Sequence, residues 1–121
     1  MLIIDDDGRN LFAVTSLLER CKMNIVAATS AQEGLSALNN NKDIDVVLMD
    51  IMLPGMDGYA ATREIRAMPE PTGKLPIIAL TAKAMPGDKE KCLSAGCSEF
   101  LPKPVDTNRL LMTIRHSLGH R

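Results

Sequence analysis

Aromatic residues are scarce in this chain of 121 residues, which has no Trp, one Tyr and two Phe. A core built from this sequence must therefore be aliphatic, and few side chains are available to stack on the bases of single-stranded nucleic acid. Neither sign of charge dominates, since 14 Lys and Arg residues are balanced by 15 Asp and Glu residues. Because such a balance gives no strong field toward a polyanion, we expect no nucleic-acid contact by this domain.

Cysteine is also rare, and the three cysteines, Cys21, Cys92 and Cys97, form neither a CxxC pair nor a zinc-binding spacing. We interpret them as small core hydrophobes of a protein in a reducing compartment. No apolar run approaches the ~18 residues that a membrane span needs, and the first residues show no signal-peptide pattern. We therefore predict a cytoplasmic location and no membrane contact by this domain.

Short apolar runs alternate with amphipathic stretches along the whole chain, and its length predicts one domain over residues 1–121. We predict strands at 2–4, 24–28, 46–49, 76–81 and 98–101, with a helix after each. The connections are long enough for right-handed crossovers between parallel strands. The predicted fold is an α/β three-layer sandwich.

The helices are predicted from their apolar stripes and from the residues at their ends. Ser30 and Glu33 form a capping box, Gly96 is typical of a helix terminator, and Asp106 and Asp7 are predicted to cap the last and the first helix. The third helix is predicted over 58–68 and the fourth over 86–95. The apolar stripe of the first helix comprises Leu11, Val14, Leu18 and Cys21.

Polar residues stand at the carboxyl ends of the predicted strands. Asp5 and Asp6 follow the first strand, Asp50 ends the third, Thr81 ends the fourth and Lys103 follows the fifth. Because the carboxyl ends of parallel strands meet along one edge of an open sheet, we expect these five residues to share one rim. Asp50 by itself fits an ordinary polar strand end equally well. Its expected neighbours favour the hypothesis that it is a nucleophile.

Carboxylates crowded at this rim would repel one another until a cation arrives. Oxygen ligands without His or Cys favour Mg²⁺, with Mn²⁺ as the alternative ion, over zinc. Such a metal could bridge Asp50 and an incoming phosphoryl group. Lys103 would pair with one phosphoryl oxygen, and the Thr81 hydroxyl could donate to another. The pattern is therefore compatible with phosphoryl transfer to Asp50.

Four motifs, in this order and spacing, resemble the receiver domain of two-component response regulators over essentially the whole chain. They are Ile3–Asp7, Leu48–Gly58, Ile77–Ala82 and Phe100–Pro104. The resemblance implies a flavodoxin-like, five-stranded parallel sheet of order 2-1-3-4-5 with five helices. It also implies that Asp50 is phosphorylated by a histidine kinase or a histidine phosphotransfer domain and then slowly dephosphorylates itself.

The same resemblance implies a set of metal ligands. Asp6, Asp50 and the backbone carbonyl of Met52 would bind Mg²⁺ directly, and Asp5 would bind it through water.

Further residues are implied to sense the phosphoryl group and to pass the signal on. Thr81 and Lys103 would respond to the phosphate, and Pro104 occupies the position of a family cis-proline that aims the lysine inward. A switch would couple Thr81 to Phe100, whose ring can rotate but has no hydroxyl to donate. A plain core aromatic is the alternative for Phe100. The signal would leave through the face around strands four and five toward a downstream protein partner.

The segments 79–85 and 103–106 resemble most the receivers of hybrid sensor histidine kinases, and strand one begins almost at Met1. We therefore expect a piece of a longer protein, with a free-standing single-domain regulator or a docking module that is not phosphorylated as alternatives. A flavodoxin-like cofactor binder would need a phosphate-cradling loop where Asp5–Asp7 stand. A hydrolase with an aspartyl-phosphate intermediate would need an acid at Met52. The predicted chemistry is therefore phosphorylation and slow dephosphorylation of the domain's own Asp50.

Overall fold

The computed structural model describes residues 1–41, 43–51, 58–69, 72–81, 87–103 and 106–119. The strands are β1 Leu2–Ile4, β2 Val26–Ala28, β3 Val47–Asp50, β4 Ile77–Thr81 and β5 Glu99–Pro102. The helices are α1 Gly8–Arg20, α2 Ala31–Asn40, α3 Gly58–Arg66, α4 Asp88–Ala95 and α5 Thr107–Gly119, and a short 3₁₀ turn occupies Thr72–Lys74.

The strands form one five-stranded sheet in the order β2-β1-β3-β4-β5. Every neighbouring pair is parallel, with Ile4 opposite Met49, Asp50 opposite Leu80 and Thr81 opposite Pro102. The predicted flavodoxin-like order is therefore confirmed. Since all strands point the same way, their carboxyl ends lie along one edge of the sheet.

Two apolar clusters, one on each face of the sheet, make this a three-layer sandwich. One cluster joins the sheet to α2, α3 and α4, and the other joins it to α1 and α5. All residues of β3 and β4 are buried, as expected for central parallel strands covered on both faces. The predicted aliphatic core is confirmed, since its fully buried large side chains are all Leu, Ile and Met.

Two local features differ from the prediction. Cys21 is not a core residue but is exposed, because α1 ends at Arg20 and the chain leaves the helical stripe there. Cys92 and Cys97 are buried as predicted. In the capping box, the Ser30 hydroxyl accepts from the Glu33 amide as expected, but the Glu33 carboxylate accepts from the backbone and hydroxyl of Thr29.

Arg66 ties the end of α3 to the turn between α4 and β5. Its guanidinium donates to the carbonyls of Gly96 at 2.8 Å, Leu75 at 2.6 Å and Gly73 at 3.1 Å. Gly96 ends α4 with φ of 114°, the left-handed conformation predicted for a terminator. A Cβ atom at Gly96 would also lie 2.7 Å from the Arg66 side chain, so this position requires glycine for two reasons. None of the helices in the described part of the chain combines the length and hydropathy of a membrane span.

Candidate active site

The rim expected at the carboxyl ends of the strands contains a cluster of carboxylates. Asp5 follows β1 and is fully buried, Asp50 ends β3 and is 4% exposed, and Asp6 is exposed. Each of these residues offers one oxygen that lies within 4.8 Å of those of the other two. Since Asp6 faces solvent, the cluster is open to an ion on one side.

The Lys103 side chain holds the two buried carboxylates together. Its Nζ lies 3.0 Å from Asp5 Oδ2 and 3.2 Å from Asp50 Oδ2. The backbone helps to place this lysine, because the Lys103 amide donates to the Thr81 carbonyl at 2.7 Å and so continues the pairing of β5 with β4. One ammonium group therefore neutralises charge from two strands at once.

Asp5 is oriented by donors from the start of α1. The Asp7 amide donates to Asp5 Oδ1 at 2.8 Å, and the Asn10 side-chain amide donates to Asp5 Oδ2. Asp7 caps α1 as predicted, since its side chain accepts from the Arg9 amide at 3.0 Å. Asn10 was not among the predicted site residues. The only feature of the sequence that points to Asn10 as a site residue is its position as a polar side chain in the first turn of the helix that follows Asp5.

These contacts favour the charged forms of the pair. Burial raises the pKa of the Asp5 carboxyl, but the hydrogen bonds from Asp7, Lys103 and Asn10 outweigh burial and hold this pKa below its usual value. Burial lowers the pKa of the Lys103 ammonium, but the carboxylates of Asp5 and Asp50 outweigh burial and raise it. At neutral pH the lysine and Asp5 thus form an ion pair.

The start of α3 packs directly on the backbone of Asp50. The Gly58 amide donates to the Ile51 carbonyl at 2.9 Å, and a Cβ atom at Gly58 would lie 2.7 Å from the Asp50 carbonyl oxygen. Only glycine fits this close approach. The helix therefore supports the strand end that carries the candidate nucleophile.

The remaining predicted residues are only partly described. Thr81 ends β4 and is 4% exposed, and Phe100 lies half-buried on β5 opposite Ala79, packed against the cluster that includes α3 and α4. Met52 and Pro104 lie outside the described residues, so the structure does not test the predicted metal-binding carbonyl or the cis-proline.

The donor set fits a hard divalent cation. The clustered side chains offer carboxylate oxygens and no nitrogen or sulfur ligand, a set that suits Mg²⁺ or Mn²⁺ better than zinc. The exposed Asp6 leaves an approach from solvent, and the cluster carries more negative charge than Lys103 can neutralise. The residues present therefore fit the metal predicted from the sequence.

Comparison with known proteins defines the family of this chain. A family model described as the response regulator receiver domain matches residues 1–115. The chain belongs to this family of receiver domains, which serve two-component signalling.

Two relatives of this chain differ greatly in length. The chain is 37% identical over 116 residues to the sensor protein GacS of Pseudomonas syringae, covering 94% of this chain but 13% of GacS. It is 36% identical over 119 residues to the protein PilH of Pseudomonas aeruginosa, covering 98% of this chain and 97% of PilH.

One solved structure similar to this chain contains a metal ion. The receiver domain of the sensor histidine kinase PA1611 from Pseudomonas aeruginosa superposes with a TM-score of 0.88 at 35% identity, covering 98% of this chain and 95% of that one. That structure is described as having a magnesium ion coordinated in its active site cleft.

Proposed function

We propose that residues 1–121 form a phosphoacceptor receiver domain in which Asp50 takes a phosphoryl group from a phosphohistidine in the presence of Mg²⁺. The observation that carries this proposal is the cluster of Asp5, Asp6 and Asp50 oxygens, in which the Lys103 ammonium bridges Asp5 and Asp50. A lone strand-end aspartate would not need a half-buried cation from two strands away. The arrangement instead combines a nucleophile, a cation site and a counter-ion.

The proposed reaction forms one bond and breaks one. An oxygen of the Asp50 carboxylate attacks phosphorus, the P–N bond of the phosphohistidine breaks, and its electron pair returns to the imidazole of the donor. Lys103 pairs with a phosphoryl oxygen, and the Thr81 hydroxyl donates to another as charge develops. Slow hydrolysis by water then breaks the acyl phosphate and regenerates the Asp50 carboxylate together with inorganic phosphate.

The metal would be held by Asp6 and Asp50, by Asp5 through water, and by the Met52 carbonyl. When bound, Mg²⁺ would neutralise charge on the phosphoryl oxygens. The carboxylates themselves hold the cation site open at the end of the sheet, since they come from two strand ends that parallel pairing fixes side by side.

The signal would then leave through β4 and β5. Contact of Thr81 with the phosphoryl group would change the packing beside Phe100, which lies on the neighbouring strand, and its ring would rotate between an inward and an outward position. The half-buried state of Phe100 supports this proposal, because a side chain at the edge of the core can repack without opening the core. The downstream partner would be a protein that contacts this face.

The phosphodonor is proposed to be a histidine kinase or a histidine phosphotransfer domain, acting in the cytoplasm. The relatives support a hybrid sensor histidine kinase as the parent protein, since they include GacS and the histidine-protein kinase BarA of Escherichia coli, at 36% identity. A free-standing regulator is the alternative that PilH supports.

The proposal is tested by incubating the protein with Mg²⁺ and a small phosphodonor such as acetyl phosphate, followed by intact-mass measurement. We expect the added mass of one phosphoryl group on the wild type and none when a chelator is present. Asp50→Asn should take up no phosphoryl group, whereas Asp43→Asn, at an exposed acid outside the rim, should label like the wild type. An unlabelled wild type, or equal labelling of Asp50→Asn, would overturn the proposal.

A further inference from the structure

Asn10 contacts the most deeply buried acid of the rim. Its side-chain amide donates to the same Asp5 oxygen, Oδ2, that accepts from Lys103 at 3.0 Å. The other oxygen, Oδ1, accepts from the Asp7 amide. Because the carboxylate is an acceptor only, the amide nitrogen of Asn10 and not its oxygen must face Asp5.

The two donors on Asp5 Oδ2 differ in charge, and this difference matters when a cation or a phosphoryl group arrives. The Lys103 ammonium repels a divalent ion, and in the proposed function it moves to a phosphoryl oxygen. The Asn10 amide is neutral, so it can stay on Asp5 in both situations. It is also held by the backbone, since it lies in the first turn of α1, which Asp7 caps.

We propose that Asn10 is a positioning residue that keeps the Asp5 carboxylate oriented toward the cation while Lys103 changes partners. The inference rests on the proposed function for the role of Lys103, but it makes its own claim about cation binding. Partners of ligating carboxylates orient their ligands, and their loss typically weakens metal binding about 10- to 100-fold. Without Asn10, the only donor left on Asp5 Oδ2 is the Lys103 ammonium, which repels an arriving divalent ion. Once Lys103 has moved to a phosphoryl oxygen, Asp5 keeps only the Asp7 amide.

The test compares Asn10→Leu, which has similar volume but no donor, with Asn10→Gln, which keeps an amide on a longer stem. The matched control is Asn108→Leu. Like Asn10, Asn108 lies in the first turn of a helix that an aspartate caps, but its side chain is exposed and lines a groove beside β5. The Kd for Mg²⁺ is measured by isothermal titration calorimetry on the unphosphorylated proteins, and the Tm is measured in chelator. Labelling by acetyl phosphate is then followed as a function of Mg²⁺ concentration.

We expect Asn10→Leu to raise the Mg²⁺ Kd about tenfold, equivalent to about 1.4 kcal/mol, with Asn10→Gln between it and the wild type. The Mg²⁺ concentration that gives half-maximal labelling should rise by the same factor, while the rate at saturating Mg²⁺ should fall less than about twofold. Asn108→Leu should match the wild type in the Mg²⁺ Kd and in the Mg²⁺ concentration that gives half-maximal labelling.

An unchanged Kd in Asn10→Leu, or a Kd in Asn10→Gln as weak as in Asn10→Leu, would overturn the inference, as would a wild type that binds no Mg²⁺. If Asn10→Leu does not fold, Asn10→Ala removes the same donor without adding apolar bulk. A wild type that binds Mg²⁺ but takes up no phosphoryl group would refute the proposed function and still leave the Kd comparison decisive for Asn10.

Discussion

Replacing Asp50 by Asn removes a buried charge from the rim while preserving the shape of the side chain. The carboxylate lies 3.2 Å from the Lys103 ammonium, an attraction of roughly 5 kcal/mol at an effective dielectric of about 20. The Asp5 oxygen lies no more than 4.8 Å away, so its repulsion is at least roughly 3.5 kcal/mol at the same dielectric. The two terms therefore largely cancel.

The remaining contribution is the free-energy penalty for burying the Asp50 charge. This penalty amounts to several kcal/mol, because Asp50 is only 4% exposed. The charge of Asp50 should thus be unfavourable in the metal-free protein. Lys103 keeps a partner in the variant, because Asp5 still lies 3.0 Å away. We expect Asp50→Asn to raise the free energy of unfolding by about 1–2 kcal/mol, or the Tm by about 4–8 °C for a chain of this length.

The assay is urea unfolding followed by far-UV circular dichroism, first in chelator and then at saturating Mg²⁺. Asp43→Asn serves as the control and should change the free energy of unfolding by less than about 0.5 kcal/mol. With Mg²⁺ the order of wild type and Asp50→Asn should reverse, since a ligand stabilises the protein that binds it better. If Asp50→Asn unfolds at lower urea than the wild type in chelator, this account of the charges at the rim is wrong.

Two further predictions concern the contacts at the rim, and a third concerns the burial of the cysteines. Lys103→Met should lower the free energy of unfolding in chelator by about 3 kcal/mol, because it leaves buried carboxylates without their cation; an unchanged urea midpoint would contradict this. The pKa of Asp5 is depressed in the folded state, so its contribution to stability is present above its usual value of 3.8 and is lost as pH falls through the folded pKa. The free energy of unfolding should therefore fall more steeply below about pH 4 in the wild type than in Asp5→Asn, and equal slopes in urea titrations would count against it. Under native conditions an alkylating reagent should modify the exposed Cys21 before the buried Cys92 and Cys97, since burial raises the pKa of the Cys97 thiol; mass spectra showing equal rates would refute this.

The fold was predictable because apolar runs and helix caps are local features of the sequence. The ends of the strands and helices were less predictable, because they depend on pairing and packing with neighbouring elements. The second strand was predicted over 24–28 but is Val26–Ala28, since its partner β1 offers only Leu2–Ile4 for pairing. The third helix was predicted to reach Met68 but ends at Arg66, where Met68 donates to the Ile65 carbonyl in a tighter 3₁₀-type turn.

The site was predictable to the extent that it follows from strand ends. Topology places Asp5, Asp50 and Lys103 at one edge, and their side chains meet there. Neither Asn10 nor Arg66 was predicted, because residue type and spacing do not show which acceptors these side chains meet in the folded chain. Asn10 meets Asp5 across the short connection between β1 and α1, and Arg66 meets carbonyls from separate turns. Roles that depend on Met52 and Pro104 remain predictions.

The strand order also determines how long the cationic side chain must be. Lys103 follows β5, while Asp50 ends β3, and β4 lies between them. Neighbouring strands are about 4.8 Å apart, so the lysine and aspartate side chains together must span roughly 10 Å of sheet from β5 to Asp50, and farther still to Asp5, which follows β1. The four-carbon stem of lysine, together with the aspartate side chains, covers this span with a compact ammonium at its tip. The width of the intervening strand therefore sets a minimum length for the basic side chain at this position and excludes shorter ones.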